Sequence, residues 1–152
     1  MLNHFDNRSI DYAVFLIANL INILMSGLWY CRIKQFEKIE YFIGIAVIAM
    51  AIPIGLAIYF NIMEKREWWT VVLLLPIILF NISILIFDYI SPINWRANAL
   101  LWPMITTYYF GLIGLLGYSF SIGLPYGFIS LTTYFVNLFF TWYAHSGGIS
   151  ST

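Results

Sequence analysis

Charged side chains are scarce in this chain, at 9% of 152 residues, against roughly 25% in soluble domains. Hydrophobic residues make up 62% of the sequence, which leaves too few polar groups to cover a water-soluble fold. Basic and acidic residues balance at seven each, so the chain lacks the basic surface that nucleic-acid binding requires. The composition therefore indicates a protein of the lipid bilayer that does not bind nucleic acid.

Cysteine and histidine are nearly absent as well. Cys31 is the single cysteine, which excludes an intramolecular disulfide and a thiolate metal cluster. His4 and His145 lie at the two ends of the chain, so they cannot form a bis-histidine haem site inside a helical bundle. Asp88 is the only acidic residue near the interior of a predicted membrane span, too few for a cation cage or a proton relay. We predict no metal and no cofactor, and we assign no catalytic residue.

The positions of the few charges divide the chain. Most charges fall in three groups, at positions 6–11, 32–40 and 64–67, and none follows Arg96. The apolar stretches between the groups are about 20 residues long, which at 1.5 Å per residue crosses a hydrocarbon core of roughly 30 Å. The predicted spans are about 12–31, 41–63, 68–90, 99–121 and 125–145.

These spans predict an all-α integral membrane protein, a single compact bundle of five transmembrane helices over residues 1–152. The rival interpretation is four spans plus a re-entrant segment. The first span lacks a small-residue cleavage site, so we expect it to be retained as a helix. Prolines are expected to interrupt spans two, three and four at Pro53, Pro76 and Pro103. We expect the protein in the plasma or cytoplasmic membrane. The loop charges favour an orientation with the N-terminus outside and the C-terminus inside, by a margin of one residue.

Polar side chains recur near the middle of four of the five spans. Asn19 and Asn22 lie in span one, Asn81 in span three, Tyr108 in span four and Asn137 in span five. Interhelical hydrogen bonds between such groups stabilise helix packing, which is one explanation for them. The other is an inward-facing cavity that binds a small molecule, a lipid head group or water.

A second polar group is predicted at one membrane surface. The order of the spans brings Asp88, Arg96 and His145 to the same side of the bilayer. An Asp88–Arg96 ion pair that fixes the loop against the bundle is one interpretation, and a role in binding a head group or in catalysis is the other. We therefore include all three with the five central residues as candidate ligand-binding residues.

Span four carries a strip of glycines. Gly111, Gly114 and Gly117 recur every three residues, so one side of this helix has no side chains. Such a strip lets another helix approach closely, either within the bundle or across a homodimer interface.

The sequence thus predicts a small polytopic membrane protein with a polar interior face. The main functional hypothesis is that it binds or helps to move a small or lipid-like ligand, or acts as a membrane subunit of a larger complex. One alternative is a membrane-embedded enzyme that acts on a lipid head group, with Asp88 or His145 as acid or base. The other is an assembly protein whose interface is the glycine strip.

Overall fold

A computed structural model describes residues 7–94, 96 and 98–146. Across these residues the chain is helical, with no strand. The helices are α1 (Asn7–Ile33), α2 (Glu37–Ala49), α3 (Ala51–Met63), α4 (Trp69–Val72), α5 (Leu75–Ile84), α6 (Leu101–Ile122) and α7 (Leu124–Ser146), and a π-helical segment (Leu85–Ile90) continues α5.

Four helical stretches are long and apolar enough to cross a membrane. They are Asn7–Ile33, Glu37–Met63, Trp69–Ile90 and Leu101–Ile122. Their outward side chains are mostly large and apolar, whereas Asn22, Asn61, Asn81 and Asn137 are almost completely buried. A surface of exposed apolar side chains around buried amides is the arrangement expected of a bundle that is surrounded by lipid.

Two of the three predicted proline interruptions are found. Pro53 has no amide hydrogen to donate to the carbonyl of Ala49, and the helix breaks at Met50 between α2 and α3. Pro76 likewise follows the break between α4 and α5. The prediction for Pro103 was wrong. This residue lies in the first turn of α6, where its missing N–H would have no partner within the helix.

The turns after α1 and α3 close in the same way. The N–H of Phe36 donates to the carbonyl of Cys31 at 2.9 Å, and the N–H of Arg66 donates to the carbonyl of Asn61 at 2.9 Å. The residue before each donor has a left-handed backbone, with φ of 57° at Gln35 and 51° at Lys65. These are helix-terminating turns of the kind that usually contains glycine.

The helices form one bundle around a buried apolar core from α1, α2, α3, α5 and α6, and Tyr134 of α7 packs against this core. Helix α1 packs along α7 and α2 and also contacts α6 and α3, while α5 packs on α6. The π-helical segment widens the end of α5, where the N–H of Ser91 donates to the carbonyl of Ile86, five residues earlier, at 2.8 Å. Asp88 lies on this widened turn.

Candidate functional site

A cavity of about 990 Å³ opens between the helices at one end of the bundle. Its walls come from the C-terminal parts of α1 and α7, from α2, from α5 with the π-helical segment, and from the first half of α6. The volume lies at the upper end of the roughly 300–1,000 Å³ found for small-molecule pockets. Most of the wall is apolar, with polar groups concentrated near the helix ends.

Two ion pairs border the cavity where the helices end, and we call this region the mouth. Arg96 Nη2 lies 3.1 Å from Asp88 Oδ2, so the predicted Asp88–Arg96 pair is present. Arg32 Nη2 lies 2.5 Å from Glu40 Oε1, and its guanidinium carbon is 4.9 Å from the centre of the Trp29 ring. All five side chains are among those that line the cavity.

His145 also lies at the mouth. Its Nδ1 is 2.7 Å from the carbonyl oxygen of Thr141, one turn earlier in α7, and its ring centre is 5.1 Å from that of Trp29. Because a carbonyl only accepts, Nδ1 carries the proton in this contact and Nε2 of the neutral ring is left as an acceptor. Nε2 of His145 can therefore accept a hydrogen bond from a donor group of a ligand, or accept a proton.

Asn81 and Tyr108 line the inner part of the cavity. The Asn81 side chain is fully buried, and its Nδ2 donates to the carbonyl of Val47 at 3.3 Å. Its Oδ1 has no hydrogen-bond partner among the described residues, and the buried Nε1 of Trp29 also lacks one of normal geometry. Buried polar atoms without partners are uncommon and costly, so a hydrogen-bond partner for either atom would stabilise the protein.

The remaining central amides form a continuous chain of hydrogen bonds between α1, α6 and α7. The order of the side chains along it is Ser119, Ser130, Asn19, Thr133, Asn22, Asn137 and Tyr108. Thr133 Oγ1 donates to Asn19 Oδ1 at 2.9 Å, and Asn137 Nδ2 donates to Tyr108 Oη at 2.9 Å and to Asn22 Oδ1 at 3.2 Å. We call this set the polar chain, and it joins the helices directly beyond the inner end of the cavity.

The eight candidate ligand-binding residues thus divide into two groups. Five of them line the cavity: Asn81, Asp88, Arg96, Tyr108 and His145. Asn19, Asn22 and Asn137 do not line it, and their amides are used in the polar chain. The packing explanation therefore fits Asn19, Asn22 and Asn137, Asn81 lines the cavity, and Tyr108 belongs to both the cavity wall and the polar chain.

The glycine strip is covered within the chain. A Cβ at Gly111 would lie 2.9 Å from the Cα of Ile77, and one at Gly114 would collide with the carbonyl oxygen of Leu73. At Gly117 a Cβ would be 3.7 Å from the Leu73 side chain, an ordinary contact. The strip serves the close approach of the α4–α5 break to α6.

A second polar cluster, at the end of the bundle opposite the mouth, was missed by the sequence analysis. Arg66 Nη1 lies 2.8 Å from Asp11 Oδ1, and Tyr118 Oη donates to the same oxygen at 2.9 Å. Asn61 Oδ1 accepts from Arg66 at 3.1 Å. Burial opposes the charge of Arg66, but the interactions with Asp11 and Tyr118 together outweigh it and raise the pKa of the guanidinium above its usual value. We call this the Asp11–Arg66 cluster.

One signal in the sequence could have found this cluster. The predicted span order brings positions 6–11, 64–67 and the end of span four to the same side of the bilayer, which is compatible with a contact between Asp11, Arg66 and Tyr118. Their pairing depends on the turn at Lys65, whose left-handed backbone nothing in the sequence indicates.

Among the described residues, no group of three or more His, Cys, Asp or Glu side chains could hold a metal ion. Comparisons with protein-family models, with curated proteins and with solved structures found no match.

Proposed function

We propose that this chain is a five-span membrane protein that binds an amphipathic, lipid-like molecule in the cavity. For the fifth span, the support is α7, which has 23 residues, carries no Asp, Glu, Lys or Arg, and packs along both α1 and α6. A helix of this length measures about 34 Å, enough to cross the hydrocarbon core. The proposed setting is the plasma or cytoplasmic membrane, with the C-terminus and the mouth inside.

The observation that carries the ligand proposal is the cavity itself. A cavity of about 990 Å³ at one end of a small bundle sacrifices packing contacts between helices that would otherwise stabilise the fold. Its charged mouth and apolar walls match a molecule with a polar head and an apolar body. The protein would bind such a molecule or help to move it between the membrane surface and the bilayer.

A pair of substitutions on one helical turn tests this proposal. Ile84 lines the cavity, whereas Ile82 is 45% exposed on the outer surface of the same helix. We expect Ile84→Trp to fill the cavity and Ile82→Trp to leave it open. Native mass spectrometry of protein extracted in a mild non-ionic detergent should then show a retained lipid-like adduct on the wild type and on Ile82→Trp, but not on Ile84→Trp.

Two results would contradict the proposal. One is a wild-type protein that carries no adduct and takes up no added amphiphile. The other is an Ile84→Trp protein that is monodisperse on size exclusion and retains the adduct as well as Ile82→Trp does.

A second candidate function, an enzyme acting on a lipid head group, is favoured by His145. The Nδ1 contact with Thr141 fixes the ring at the mouth and leaves Nε2 available as a base. If the protein is an enzyme, His145→Ala should abolish turnover of a head-group substrate while ligand binding persists. Asp88→Asn provides the corresponding test of the carboxylate.

The assembly hypothesis has less support. Its proposed interface, the strip from Gly111 to Gly117, faces Leu73 and Ile77 of the same chain, which leaves no bare helix surface there for a partner. A role as a membrane subunit or a homodimer would need another surface of the bundle.

A further inference from the structure

The charges at the mouth limit which head groups can bind there. Each of the two guanidiniums is already bonded to a carboxylate, Arg32 to Glu40 and Arg96 to Asp88. A purely anionic ligand that bound an arginine would weaken the bond between that arginine and its carboxylate. A purely cationic ligand that bound the carboxylate would weaken the same bond and leave the arginine without its partner. The Arg32 and Glu40 side chains are only 28% and 26% exposed, so leaving either of them without its partner is costly. A zwitterionic head group avoids this cost because it supplies both a new anion and a new cation.

Aromatic side chains near the ion pairs suit the cationic part of such a head group. Tyr41 and Tyr89 both line the cavity, with ring centres 5.6 Å apart, and Trp142 lines it from α7. Trp29 already has a guanidinium over its ring. Rings of this kind bind quaternary ammonium groups through cation–π attraction, while arginine binds phosphate in a bidentate manner.

The unpartnered atoms deeper in the cavity add a second requirement. Asn81 lies seven residues before Asp88, which is two helical turns further in. Its buried Oδ1 needs a donor, which an ester or ether oxygen cannot provide. A hydroxyl or amide group can donate to Oδ1, and it can also accept from a donor such as Trp29 Nε1.

We propose that the ligand is a zwitterionic phospholipid with a hydrogen-bond donor between its head group and its chain. The phosphate binds at the arginines, the ammonium lies among the carboxylates and aromatic rings, and the donor satisfies Asn81. This proposal rests on the proposed lipid-binding function. Two lipid classes have the required chemistry, lysophospholipids through a free hydroxyl and sphingophospholipids through an amide and a hydroxyl.

The test uses a series of lipids that share the phosphocholine head group. Lysophosphatidylcholine and sphingomyelin have the donor, and diacyl phosphatidylcholine lacks it. Binding to the full chain in non-ionic detergent is followed by native mass spectrometry in competition. We expect the donor-bearing lipids to bind about tenfold more tightly, the effect of one hydrogen bond to a buried acceptor. Whichever of lysophosphatidylcholine and sphingomyelin binds more tightly indicates which of the two lipid classes is the ligand.

Two further lipids test the charge requirement. Lysophosphatidic acid lacks the ammonium, and a single-chain trimethylammonium amphiphile lacks the phosphate. Both are expected to bind about tenfold or more weakly than lysophosphatidylcholine. The double variant Arg32→Gln/Glu40→Gln should reduce this preference, whereas Lys38→Gln, which removes an exposed charge from α2 outside the cavity, should not.

Asn81→Leu tests the donor site directly. It should reduce the preference for lysophosphatidylcholine over diacyl phosphatidylcholine to about one. If this variant does not fold, Asn81→Ala removes the same acceptor in a smaller side chain, with the same loss of preference expected.

The outcomes separate the two proposals. Equal binding of the three phosphocholine lipids to the wild type would overturn the donor requirement. If lysophosphatidic acid or the trimethylammonium amphiphile bound as tightly as lysophosphatidylcholine, or more tightly, the zwitterion requirement would be overturned. Both results would leave the lipid-binding function intact. Absence of binding by every amphiphile would instead overturn the proposed function.

Discussion

At the residue scale, the polar chain shows how buried hydroxyls and amides hold the bundle together where no ligand is involved. Thr133 accepts from Asn22 at 3.4 Å and donates to Asn19 at 2.9 Å, so one hydroxyl connects α7 to two amides of α1. Apolar side chains gain little by facing each other instead of lipid, so such bonds contribute specificity to helix pairing.

Thr133→Ala should lower the free energy of unfolding by about 1 kcal/mol, since it breaks the link between Asn19 and Asn22. Its control is the adjacent Thr132, which is exposed and bonds only to the carbonyl of Phe128 in its own helix. Thr132→Ala should change stability by less than about 0.5 kcal/mol. The two values are compared by SDS titration in mixed micelles, and equal losses would show that the polar chain does not stabilise the bundle.

Residue spacing in the sequence predicted the Asp88–Arg96 pair, because both charges lie outside the charge groups and flank one loop. It also predicted which central residues face inward. It could not tell that Asn137 would bond to Asn22 and Tyr108 while Asn81 borders a void. Periodicity indicates which side of a helix faces the interior, but the gap between two helices depends on how they cross, which no single span encodes.

At the scale of the elements, the irregular parts of the helices position the site. The break before Pro76 brings the carbonyl of Leu73 against Gly114, and the π-helical segment presents Asp88 and Tyr89 to the mouth. The hydroxyl of Tyr89 lies over α2, where a Cβ at Gly44 would be only 2.6 Å from it.

The proline break could be predicted from the sequence. The π-helical segment could not, since Leu85–Ile90 contains no residue that distinguishes it from an α-helix.

Gly114→Ala should destabilise the protein by about 2 kcal/mol, because the new methyl group would overlap a backbone carbonyl that cannot rotate away. Gly117→Ala, three residues along the same helix, adds its methyl at ordinary contact distance from Leu73 and should be tolerated within about 0.5 kcal/mol.

Thermal unfolding of both glycine variants in detergent provides the measurement, with the oligomeric state followed by light scattering. Equal stability of the two variants would contradict the close approach at Gly114. A change from dimer to monomer in Gly114→Ala would support the interface hypothesis instead.

At the scale of the whole molecule, the proposed five-span arrangement predicts that the two ends of the chain lie on opposite sides of the membrane. With four spans and a re-entrant segment they would lie on the same side. Arg8, Lys34 and Ser146 are exposed near the ends of α1 and α7 and offer sites to distinguish the two.

Single cysteines at these three positions, in a Cys31→Ser background, should be labelled by an impermeant maleimide from opposite sides. We expect Arg8→Cys to react in intact cells, and Lys34→Cys and Ser146→Cys to react only after permeabilisation. Labelling of Arg8→Cys and Ser146→Cys from one side would favour the four-span interpretation, and a complete reversal would keep five spans but invert the orientation.

The restriction of the cavity to one end of the bundle has an electrical consequence. In a bilayer, water entering the mouth would carry the potential of its own compartment down to the inner end of the cavity. The membrane voltage, about 2.3 kcal/mol per charge for each 100 mV, would then fall mainly across the polar chain and the Asp11–Arg66 cluster. A head group held between Arg32 and Arg96 would cross little of this field, so its affinity should not change when the membrane is depolarised.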